Sequence, residues 1–395
     1  MKKMYKLYIS VVCLVLLVTT LMISNKAMIV KAYYEEQFNN FTSKSYVLLD
    51  SDSGTVLVSN NADEKMEVAS ICKLMTSLIT LERLDSGALK LDDMLTASEH
   101  ACSMEGSQAF LDSGSEYSVA ELLKSVVVAS ANDSAVVLAE AIGGSESAFV
   151  SMMNNRAKEL GMNNTCYANA TGLPATNQYS TAMDTSILLK KVAKYDTYVK
   201  DSHIWMDTLV HPSGRETQLV NTNRLIKYYD KCKTGKTGFT DEAGYCLAST
   251  ASNSNLNLIA VVLKCDKAQD RFKESVDLYN YGFANFENKK IIDVNSPIDS
   301  SIKVSGGKED VVGLRYASDY SVVCRKGDSS SYGIDISNIS TIKAPQKAGQ
   351  KVGTATILKD GKIIGEVDVV LKDDIERQTY KDVLNKMIDN WSICG

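Results

Sequence analysis

The chain has 395 residues, of which 45% are hydrophobic and 23% are charged, and this length suits two or three globular domains. Its 43 lysines and arginines against 48 aspartates and glutamates leave a formal charge of −5. A disordered tail protein, a collagen and a multi-span membrane protein are excluded by this composition. Because the charge balance is acidic, no nucleic-acid partner is expected.

The N-terminus has the pattern of a secretory signal peptide. Three lysines precede an apolar run over residues 7–23, and Val30 and Ala32 occupy the offsets that a signal peptidase reads. We expect residues 1–32 to be removed, so that the mature chain starts near Tyr33. An uncleaved membrane anchor is the alternative, because the run is close to the shortest length that spans a bilayer. Both interpretations place the rest of the protein outside the cytoplasm.

The cysteines and histidines do not form a disulfide framework or a metal-binding motif. The nine cysteines include no C-x-x-C pair and show no even spacing. None of the three histidines belongs to an H-E-x-x-H sequence, so a catalytic zinc site is not indicated. We therefore expect neither a metal nor a cofactor.

The chain up to residue 288 predicts an alternation of strands and helices. Ile71 starts an apolar pattern at i, i+3, i+4, i+7 and i+8, which is one face of a helix that we expect to be buried. Ser118 and Glu121 form a capping box at the start of another helix. The full set comprises a hairpin over 46–50 and 55–58, helices from Ser70, from Ser118, over 133–142, up to Leu160 and over 270–286, and strands over 245–250 and 258–263.

The composition changes near residue 289, where we place a domain boundary. Glycine, serine and aspartate become more frequent, and short alternating apolar runs predict a β-rich domain over residues 289–372. Residues 373–395 then place six apolar side chains, Trp391 among them, on one face of a helix. Such a helix can lie in a membrane interface, or it can dock on its own β domain.

Ser70 and Lys73 form an S-x-x-K motif at the start of the first predicted helix. Residues three apart share one face of a helix, so the hydroxyl and the amine stand about one turn apart, where a nucleophile and its base can meet. The motif alone is weak, because three more copies begin at Ser300, Ser305 and Ser340. Those copies lie in the β-rich part, where residues i and i+3 point to opposite faces of a strand.

Two further motifs follow in order. Ser130 and Asn132 form an S-x-N in a short link between two predicted helices, where they offer a hydroxyl and an amide, although a bare S-x-N is equally a helix cap. Lys236 opens a K-T-G on a predicted strand, where glycine lets a substrate backbone approach closely. A second K-T-G begins at Lys233. We favour Lys236, because a strand and a turn follow it over residues 239–244.

The ordered set of S-x-x-K, S-x-N and K-T-G in an exported chain resembles the low-molecular-mass penicillin-binding proteins, the serine D-alanyl-D-alanine carboxypeptidase family. The resemblance covers nearly all of the mature chain. Further matching segments are residues 61–65, 160–162, 169–173, 180–182, 236–245, 271–272 and 281–283. Cys72, Ala131 and Asn177 stand where many relatives have threonine, glycine and histidine, and none of these departures removes a reacting group.

The resemblance implies an α+β fold of the serine β-lactamase and penicillin-binding-protein type, with helices packed on an antiparallel sheet. It assigns residues 33–288 to the catalytic domain, residues 289–372 to a small β domain, and residues 373–395 to an amphipathic helix that contacts a membrane. Peptidoglycan stem peptides are the implied substrates, and β-lactam antibiotics are the implied covalent inhibitors.

A serine hydroxyl is a poor nucleophile without a base, and no histidine is placed to act as one. The resemblance gives that role to Lys73, with Ser70 as the nucleophile and Ser130 as the group that passes the proton to the leaving amine. A lysine with an ordinary pKa of about 10.4 is almost fully protonated at pH 7, so the site must lower this pKa by burial and by a nearby like charge. Lys236 is the candidate for that charge.

The substrate-binding residues that the resemblance implies surround this centre. Asn132 would hold both the substrate amide and Lys73, while the backbone N–H groups of Ser70 and Phe239 would stabilise the oxyanion. The free carboxylate of the terminal D-alanine needs a positive charge. The residues implied for that carboxylate are Lys236, Thr240 and Arg271, and Thr237 completes the substrate-binding set.

Three other functions stay open at this point. A β-lactamase would add a carboxylate that activates the deacylating water, and Glu159 stands in a segment that superficially matches the E-x-x-L-N of those enzymes. We interpret Glu159 instead as part of a helix that ends at Gly161. A D,D-endopeptidase is poorly separated from a carboxypeptidase by sequence. An inactive peptidoglycan-binding module is disfavoured by the intact motifs.

Overall fold

The computed structural model describes residues 38–337 and 341–393, so the predicted signal segment over 1–32 lies outside the described residues. The chain divides into two compact units. The first comprises the residues up to Leu48 together with Val58–Ala251 and Ile259–Leu278, and the second comprises Leu49–Leu57, Ser252–Leu258 and the chain from Tyr279 onward.

The N-terminal two thirds of the chain mixes helices and strands, as the sequence predicts. In chain order its elements are β1 (Ser45–Asp50), β2 (Val56–Asn60), α1 (Lys73–Asp85), β3 (Met94–Thr96), α2 (Glu99–Cys102), β4 (Glu116–Ser118), α3 (Val119–Val128), α4 (Asn132–Gly143), α5 (Glu146–Glu159), α6 (Ala182–Val192), α7 (Asp196–Ser202), β5 (Met206–Val210), β6 (Glu216–Val220), α8 (Leu225–Tyr228), β7 (Cys232–Thr240), β8 (Gly244–Asn253), β9 (Leu256–Cys265) and α9 (Asp270–Asn285). The predicted hairpin, helices and strands are all present, with small shifts at their ends.

Five strands form the main sheet in the order β2-β1-β9-β8-β7. The apolar run Leu258 to Leu263 in β9 is fully buried, which is why a strand with no polar alternation occupies the middle of the sheet. β7 pairs antiparallel with β8, with Lys236 opposite Ala248 and Gly238 opposite Cys246. Because β7 is the last strand in this order, its outer edge is available to an extended ligand.

Helix α1 is the buried central helix that its apolar stripe predicts, with Leu74, Met75 and Leu78 fully buried. It begins later than expected, however. Residues Ala69–Cys72 form a 3₁₀ turn, and the α-helix starts only at Lys73. The turn is tighter than an α-helix, and it sets Ser70 apart from the regular helix that follows.

The capping box before α3 has both of its hydrogen bonds, so α3 begins where the sequence predicts. Only three residues separate α3 from α4. Ser130 lies in this link with a left-handed φ of +61°.

The second unit is rich in strands. Its further elements are β10 (Phe286–Ile292), β11 (Ser301–Ser305), β12 (Val311–Tyr316), β13 (Tyr320–Arg325), β14 (Tyr332–Ser337), β15 (Ile342–Lys343), β16 (Lys351–Lys359), β17 (Lys362–Leu371) and the helix α10 (Tyr380–Ile393). Six strands form one sheet in the order β14-β16-β17-β12-β11-β15, and β10 pairs with β13. Alternate side chains such as Ile302, Ala355 and Val369 fill its core, as period-2 patterning predicts.

Within the described part of the chain, no single helix combines the length and the hydropathy that a membrane span requires. Two consecutive helices, α4 and α5, meet that criterion only when they are taken together across a bend of 84°.

Candidate active site

The centre of the site is a contact between Ser70 and Lys73. Lys73 Nζ lies 3.0 Å from Ser70 Oγ and donates a hydrogen bond to Thr171 O at 2.6 Å. The lysine is completely buried, whereas Ser70 is half-buried. The amine is therefore shielded from water and directed at a hydroxyl that remains accessible from one side.

Two glycines let neighbouring segments close around the Ser70 turn. A Cβ on Gly172 would lie 2.0 Å from Ala69 O, and a Cβ on Gly238 would lie 2.4 Å from Val68 O, so neither position tolerates a side chain. Ala69 itself has a left-handed φ of +49°, a strained conformation for a residue other than glycine. Strain of this kind persists only where the surroundings fix it, and it is common at functional sites.

Burial lowers the pKa of Lys73 to about 7, while the nearby Cys72 and Asp133 oppose this shift. Both the neutral and the protonated form of Lys73 are then populated near neutral pH. Burial also lowers the pKa of Lys236 well below its usual value, and the charge of Lys73 adds to that effect. Of the two causes that the sequence predicts, burial and a like charge, burial is thus the main reason for the low pKa of Lys73.

A second serine–lysine pair joins the α3–α4 link to β7. Lys236 Nζ donates hydrogen bonds to Ser130 Oγ at 2.7 Å and to Thr237 O at 3.1 Å, and Lys236 is only 2% exposed. The side chain of Lys233 is exposed. Of the two K-T-G copies, therefore, only the one that begins at Lys236 presents a buried lysine to Ser130.

Asn132 begins α4 and reaches the loop before β4. Its backbone N–H donates to Ser107 O at 2.7 Å, and its Nδ2 donates to Glu105 O at 2.5 Å. The expected contact with Lys73 is absent, because the carbonyl of Thr171 takes that place. Asn132 Oδ1 is buried and has no hydrogen-bond partner among the described residues, so it is an acceptor left open for a ligand.

Arg271 contacts the backbone of β7 and β8, and its Nε is buried with no hydrogen-bond partner among the described residues. Its Nη1 donates to Gly238 O at 3.0 Å and to Cys246 O at 3.5 Å, and its guanidinium lies 5.4 Å from the ring centroid of Tyr245. Phe239 stacks on the same ring at 4.2 Å and is itself 48% exposed. The described contacts of Arg271 brace the pairing of β7 with β8, since a buried guanidinium satisfies backbone carbonyls here.

Thr237 and Thr240 occupy the same strand as Lys236. Thr237 Oγ1 donates to Thr222 Oγ1 at 2.7 Å, and Thr240 Oγ1 accepts from the backbone N–H of Ala243 at 3.0 Å. Thr240 also lines a cavity of about 350 Å³ that reaches Ala69, the residue before the candidate nucleophile. The end of β7 therefore forms one wall of the space beside Ser70.

Sequence reasoning assigned no role to the loop that holds Lys73. Asn169 Oδ1 accepts hydrogen bonds from the backbone N–H groups of Thr171 and Gly172, which bends the chain so that Thr171 O faces the Lys73 amine. Such a turn closed by an asparagine side chain has a recognisable sequence signal. That signal is present, since residues 169–173 belong to the segments that match the family.

Two side chains from outside this loop hold its Ala170 peptide. Thr76 Oγ1 donates to Ala170 O at 2.7 Å, and Glu146 Oε1 accepts from the Ala170 N–H at 2.9 Å. Glu146 also meets His100 Nε2 at 3.2 Å. Because Ala170 directly precedes Thr171, these bonds set the position of the carbonyl that contacts Lys73.

The other S-x-x-K copies have no comparable surroundings. The side chains of Lys303, Lys308 and Lys343 are all exposed. Among the residues that the structure describes, no group of three or more histidine, cysteine, aspartate or glutamate side chains is arranged to hold a metal ion.

Comparison with solved structures defines the class of this protein. Penicillin-binding protein 5 from Haemophilus influenzae is 31% identical, with a TM-score of 0.72 over 86% of this chain and 98% of that chain. A peptidoglycan synthesis regulatory factor, PBP3, from Streptococcus pneumoniae is 27% identical, with a TM-score of 0.74 over 85% of this chain and all of that chain. The fold is that of the penicillin-binding proteins, which confirms the α+β class expected from the sequence.

The family follows from the sequence comparisons. The D-alanyl-D-alanine carboxypeptidase family model matches residues 31–267, and the model of the C-terminal domain of penicillin-binding protein 5 matches residues 286–377. The D-alanyl-D-alanine carboxypeptidase DacF of Bacillus subtilis is 37% identical over 351 residues, which are 89% of this chain and 90% of that protein. The chain belongs to the D-alanyl-D-alanine carboxypeptidase family, as its motifs predict.

Proposed function

We propose that the protein is a serine D,D-carboxypeptidase that removes the terminal D-alanine from peptidoglycan stem pentapeptides. The observation that carries this proposal is the buried Lys73 amine, 3.0 Å from Ser70 Oγ and with its pKa lowered to about 7. A neutral amine at that distance can accept the hydroxyl proton directly. Membership of the family supports the choice of substrate.

The first step forms an acyl-enzyme. Ser70 Oγ attacks the carbonyl carbon between the two terminal D-alanines while its proton passes to Lys73 Nζ. The backbone N–H groups of Ser70 and Phe239 stabilise the oxyanion of the tetrahedral intermediate. The intermediate then collapses, so that an ester bond to Ser70 replaces the peptide bond.

The leaving D-alanine needs a proton on its amine as the C–N bond breaks. Ser130 is the proposed donor, and the hydrogen bond that Lys236 Nζ donates to its Oγ at 2.7 Å stabilises the alkoxide as the proton leaves. The proton held by Lys73 returns through Ser130, which balances the step. Water then attacks the ester, and the shortened peptide is released with Ser70 restored.

Substrate binding uses Asn132 and β7, which form the two sides of the active-site groove. The open Oδ1 of Asn132 accepts a peptide N–H of the substrate, while β7 offers its free edge to the extended backbone. Lys236, with the hydroxyl groups of Thr237 and Thr240, provides for the terminal carboxylate and the adjoining backbone. Arg271, which also donates to Gly238 O and Cys246 O, is a further candidate for that carboxylate.

Penicillin is expected to acylate Ser70 in the same way, and the resulting acyl-enzyme is expected to hydrolyse slowly. A β-lactamase would need a carboxylate near the acyl-enzyme. Glu159, the sequence candidate, ends α5, has a side chain that is 64% exposed, and pairs with Arg156 at 2.7 Å. That placement favours the carboxypeptidase over the β-lactamase.

The proposal also covers location and domain roles. Residues 1–32 act as an export signal, residues 33–288 form the catalytic domain and residues 289–372 form a β domain that follows it. Residues 373–395 contact the outer face of the cytoplasmic membrane. Support for that contact comes from α10, on which Tyr380, at 83% exposed, and Met387, at 63% exposed, present apolar surface.

The test uses purified mature chain with diacetyl-Lys-D-Ala-D-Ala and, separately, a fluorescent penicillin. We expect release of free D-alanine and a long-lived penicillin adduct on Ser70, and loss of both in Ser70→Ala. Rapid penicillin turnover without D-alanine release would indicate a β-lactamase instead. Cleavage of cross-linked dimers without release of D-alanine from the tripeptide would indicate an endopeptidase, and no reaction at all would indicate a binding module.

A further inference from the structure

Thr222 lies in the short segment between β6 and α8, and the proposed chemistry gives it no role. Its backbone N–H donates to Val128 O at 3.2 Å, at the end of α3 and two residues before Ser130. Its Oγ1 accepts a hydrogen bond from Thr237 Oγ1 at 2.7 Å. Thr222 therefore connects the end of α3, which leads to Ser130, with β7, which carries Lys236.

Two buried asparagines hold Thr222 in place from either side. Asn221 Nδ2 donates to Ser202 O at 2.9 Å and to Ile204 O at 2.8 Å. Asn221 Oδ1 accepts from the backbone N–H of Asn223 at 2.8 Å, which closes the turn around Thr222. A hydroxyl group that is fixed before a ligand arrives loses little conformational freedom when it binds. Thr222 is thus a preorganised polar group rather than part of a mobile loop.

The hydroxyl groups of Thr222 and Thr237 have two protons between them. Thr237 donates one to Thr222 Oγ1, and within residues 38–337 and 341–393 Thr222 has no acceptor for its own hydroxyl proton. Thr222 is half-buried, whereas Thr237 is only 5% exposed, so the free proton lies on the more accessible hydroxyl. A hydroxyl that accepts one hydrogen bond is a stronger donor in the next. The pair therefore offers one strengthened donor to a ligand.

A carboxylate is the ligand that this donor suits best. An ionised carboxylate only accepts hydrogen bonds, and those that it accepts are about twice as strong as bonds between neutral groups. The neighbouring Lys236 Nζ already donates to Ser130 Oγ and to Thr237 O, so one of the three donors of its ammonium form is left. The hydroxyl of Thr222 adds a second donor beside that one.

We propose that Thr222 is a further substrate-binding residue, whose hydroxyl donates to the terminal carboxylate of the substrate. Thr237 and Thr222 then act on this carboxylate as one donor, because each depends on the hydrogen bond between them. The inference rests on the proposed function, since it requires a substrate that ends in a free carboxylate. It concerns recognition of the terminal group, and it gives Thr222 no part in proton transfer to or from Ser70.

The test compares two thioesters on the purified mature chain. In N-acetyl-D-alanyl-thioglycolic acid the thioglycolate takes the place of the terminal D-alanine and keeps its carboxylate, whereas the corresponding thioglycolamide is neutral. Thioesters are reactive acyl donors, so turnover of the neutral compound is measurable, and a thiolate leaves without a proton from Ser130. We expect kcat/KM to be higher for the acid. This acid-to-amide ratio should fall about fivefold in Thr222→Val and in Thr222→Ala, mainly through KM for the acid, the equivalent of one net hydrogen bond.

Thr222→Ser keeps the hydroxyl and should keep the ratio. Thr208→Val is the matched control, because Thr208 is an exposed threonine of β5 whose hydroxyl has no hydrogen-bond partner in the described part of the chain. An unchanged ratio in Thr222→Val and Thr222→Ala would overturn the inference, and so would an equal loss of kcat/KM for both thioesters, which indicates a defect in the shape of the groove. Failure of the unmodified protein to cleave the acid thioester and to release D-alanine from diacetyl-Lys-D-Ala-D-Ala would instead contradict the proposed function, and the inference with it.

Discussion

Lysine side chains have opposite surroundings in two regions of the molecule. They are buried in the active-site groove and exposed in the β-rich second unit. Burial lowers the pKa of Lys73 and Lys236, and no described carboxylate lies within ion-pair distance of either amine. In the second unit, exposed lysines meet carboxylates, as Lys347 meets Asp374 at 2.7 Å, and the hydrogen bond to that carboxylate raises the lysine's pKa. Burial without a counter-ion favours the neutral form of an amine, whereas pairing with a carboxylate on the surface favours the cation.

The difference between buried and exposed lysines also affects the stability of the fold. A polar group taken out of water is unfavourable unless other contacts replace its hydration. Lys73 receives one carbonyl and one hydroxyl in exchange, which do not fully replace the hydration of an ammonium, so burial favours the neutral amine. The groove therefore keeps a destabilising group because of its chemistry, a pattern that active sites often show.

The largest effect on activity is expected from removing the buried amine of Lys73. Lys73→Met keeps the length and apolar contacts of the side chain, and we expect D-alanine release and penicillin acylation to fall by about 10³-fold, because a positioned general base contributes about 10²–10⁴-fold. Steady-state kinetics and the rate of adduct formation measure the loss. Lys233→Met, in the exposed K-T-G copy, is the control and should retain full activity. Activity of Lys73→Met close to that of the control would show that another group is the base.

The second largest effect concerns pH. Since the pKa of Lys73 lies at about 7, its ammonium form predominates below that pH and cannot accept the Ser70 proton. We expect the acylation rate constant to fall about tenfold for each unit below pH 7 and to level off above pH 8. Stopped-flow acylation by a fluorescent penicillin between pH 5 and 9 measures it, with circular dichroism to confirm that the fold persists. A flat profile over that range would contradict the assignment of Lys73 as base.

The sequence predicts the parts of this site that depend on residue type. Ser70, Lys73, Ser130 and Lys236 are found from motif spacing and helical or strand context, and the structure brings each serine to a lysine. The fold class follows from the family resemblance that these motifs establish. Their roles in the reaction stay predictions until they are tested.

What the sequence does not predict depends on backbone geometry. The acceptor that holds Lys73 is the carbonyl of Thr171, and every residue has a carbonyl, so no residue type marks it. The left-handed φ of Ala69 is equally hidden, because alanine has no preference for that conformation. The contacts of Arg271 with Gly238 and Cys246 depend on how β7 and β8 pair, which only the folded chain determines.

A smaller effect is expected from the loop that holds Lys73. Thr76→Val preserves shape but removes the hydrogen bond to Ala170 O, so Thr171 O loses its fixed position. We expect the acylation rate above pH 8 to fall about fivefold, the equivalent of one net hydrogen bond, and the midpoint of the pH profile to move down, since the ammonium loses an acceptor. Thr80→Val is the matched control, because Thr80 bonds only within α1, to Thr76 O. Equal effects of both variants would indicate a general packing defect rather than positioning of Lys73.

The smallest effect concerns stability, which should rise when the buried Lys73 is replaced and stay unchanged when the exposed Lys347 is replaced. The folded-state pKa of Lys73, about 7, lies below its ordinary value of 10.5, so its destabilising effect grows as the pH falls from 10.5 to 7 and is complete below 7. Lys73→Met should therefore raise the free energy of unfolding by about 1–3 kcal/mol at pH 6, and by less at pH 9. Lys347→Met, which breaks an exposed pair, should leave the thermal midpoint unchanged at both pH values. A lower midpoint for Lys73→Met at pH 6 would mean that the contacts with Thr171 and Ser70 outweigh the burial of the amine.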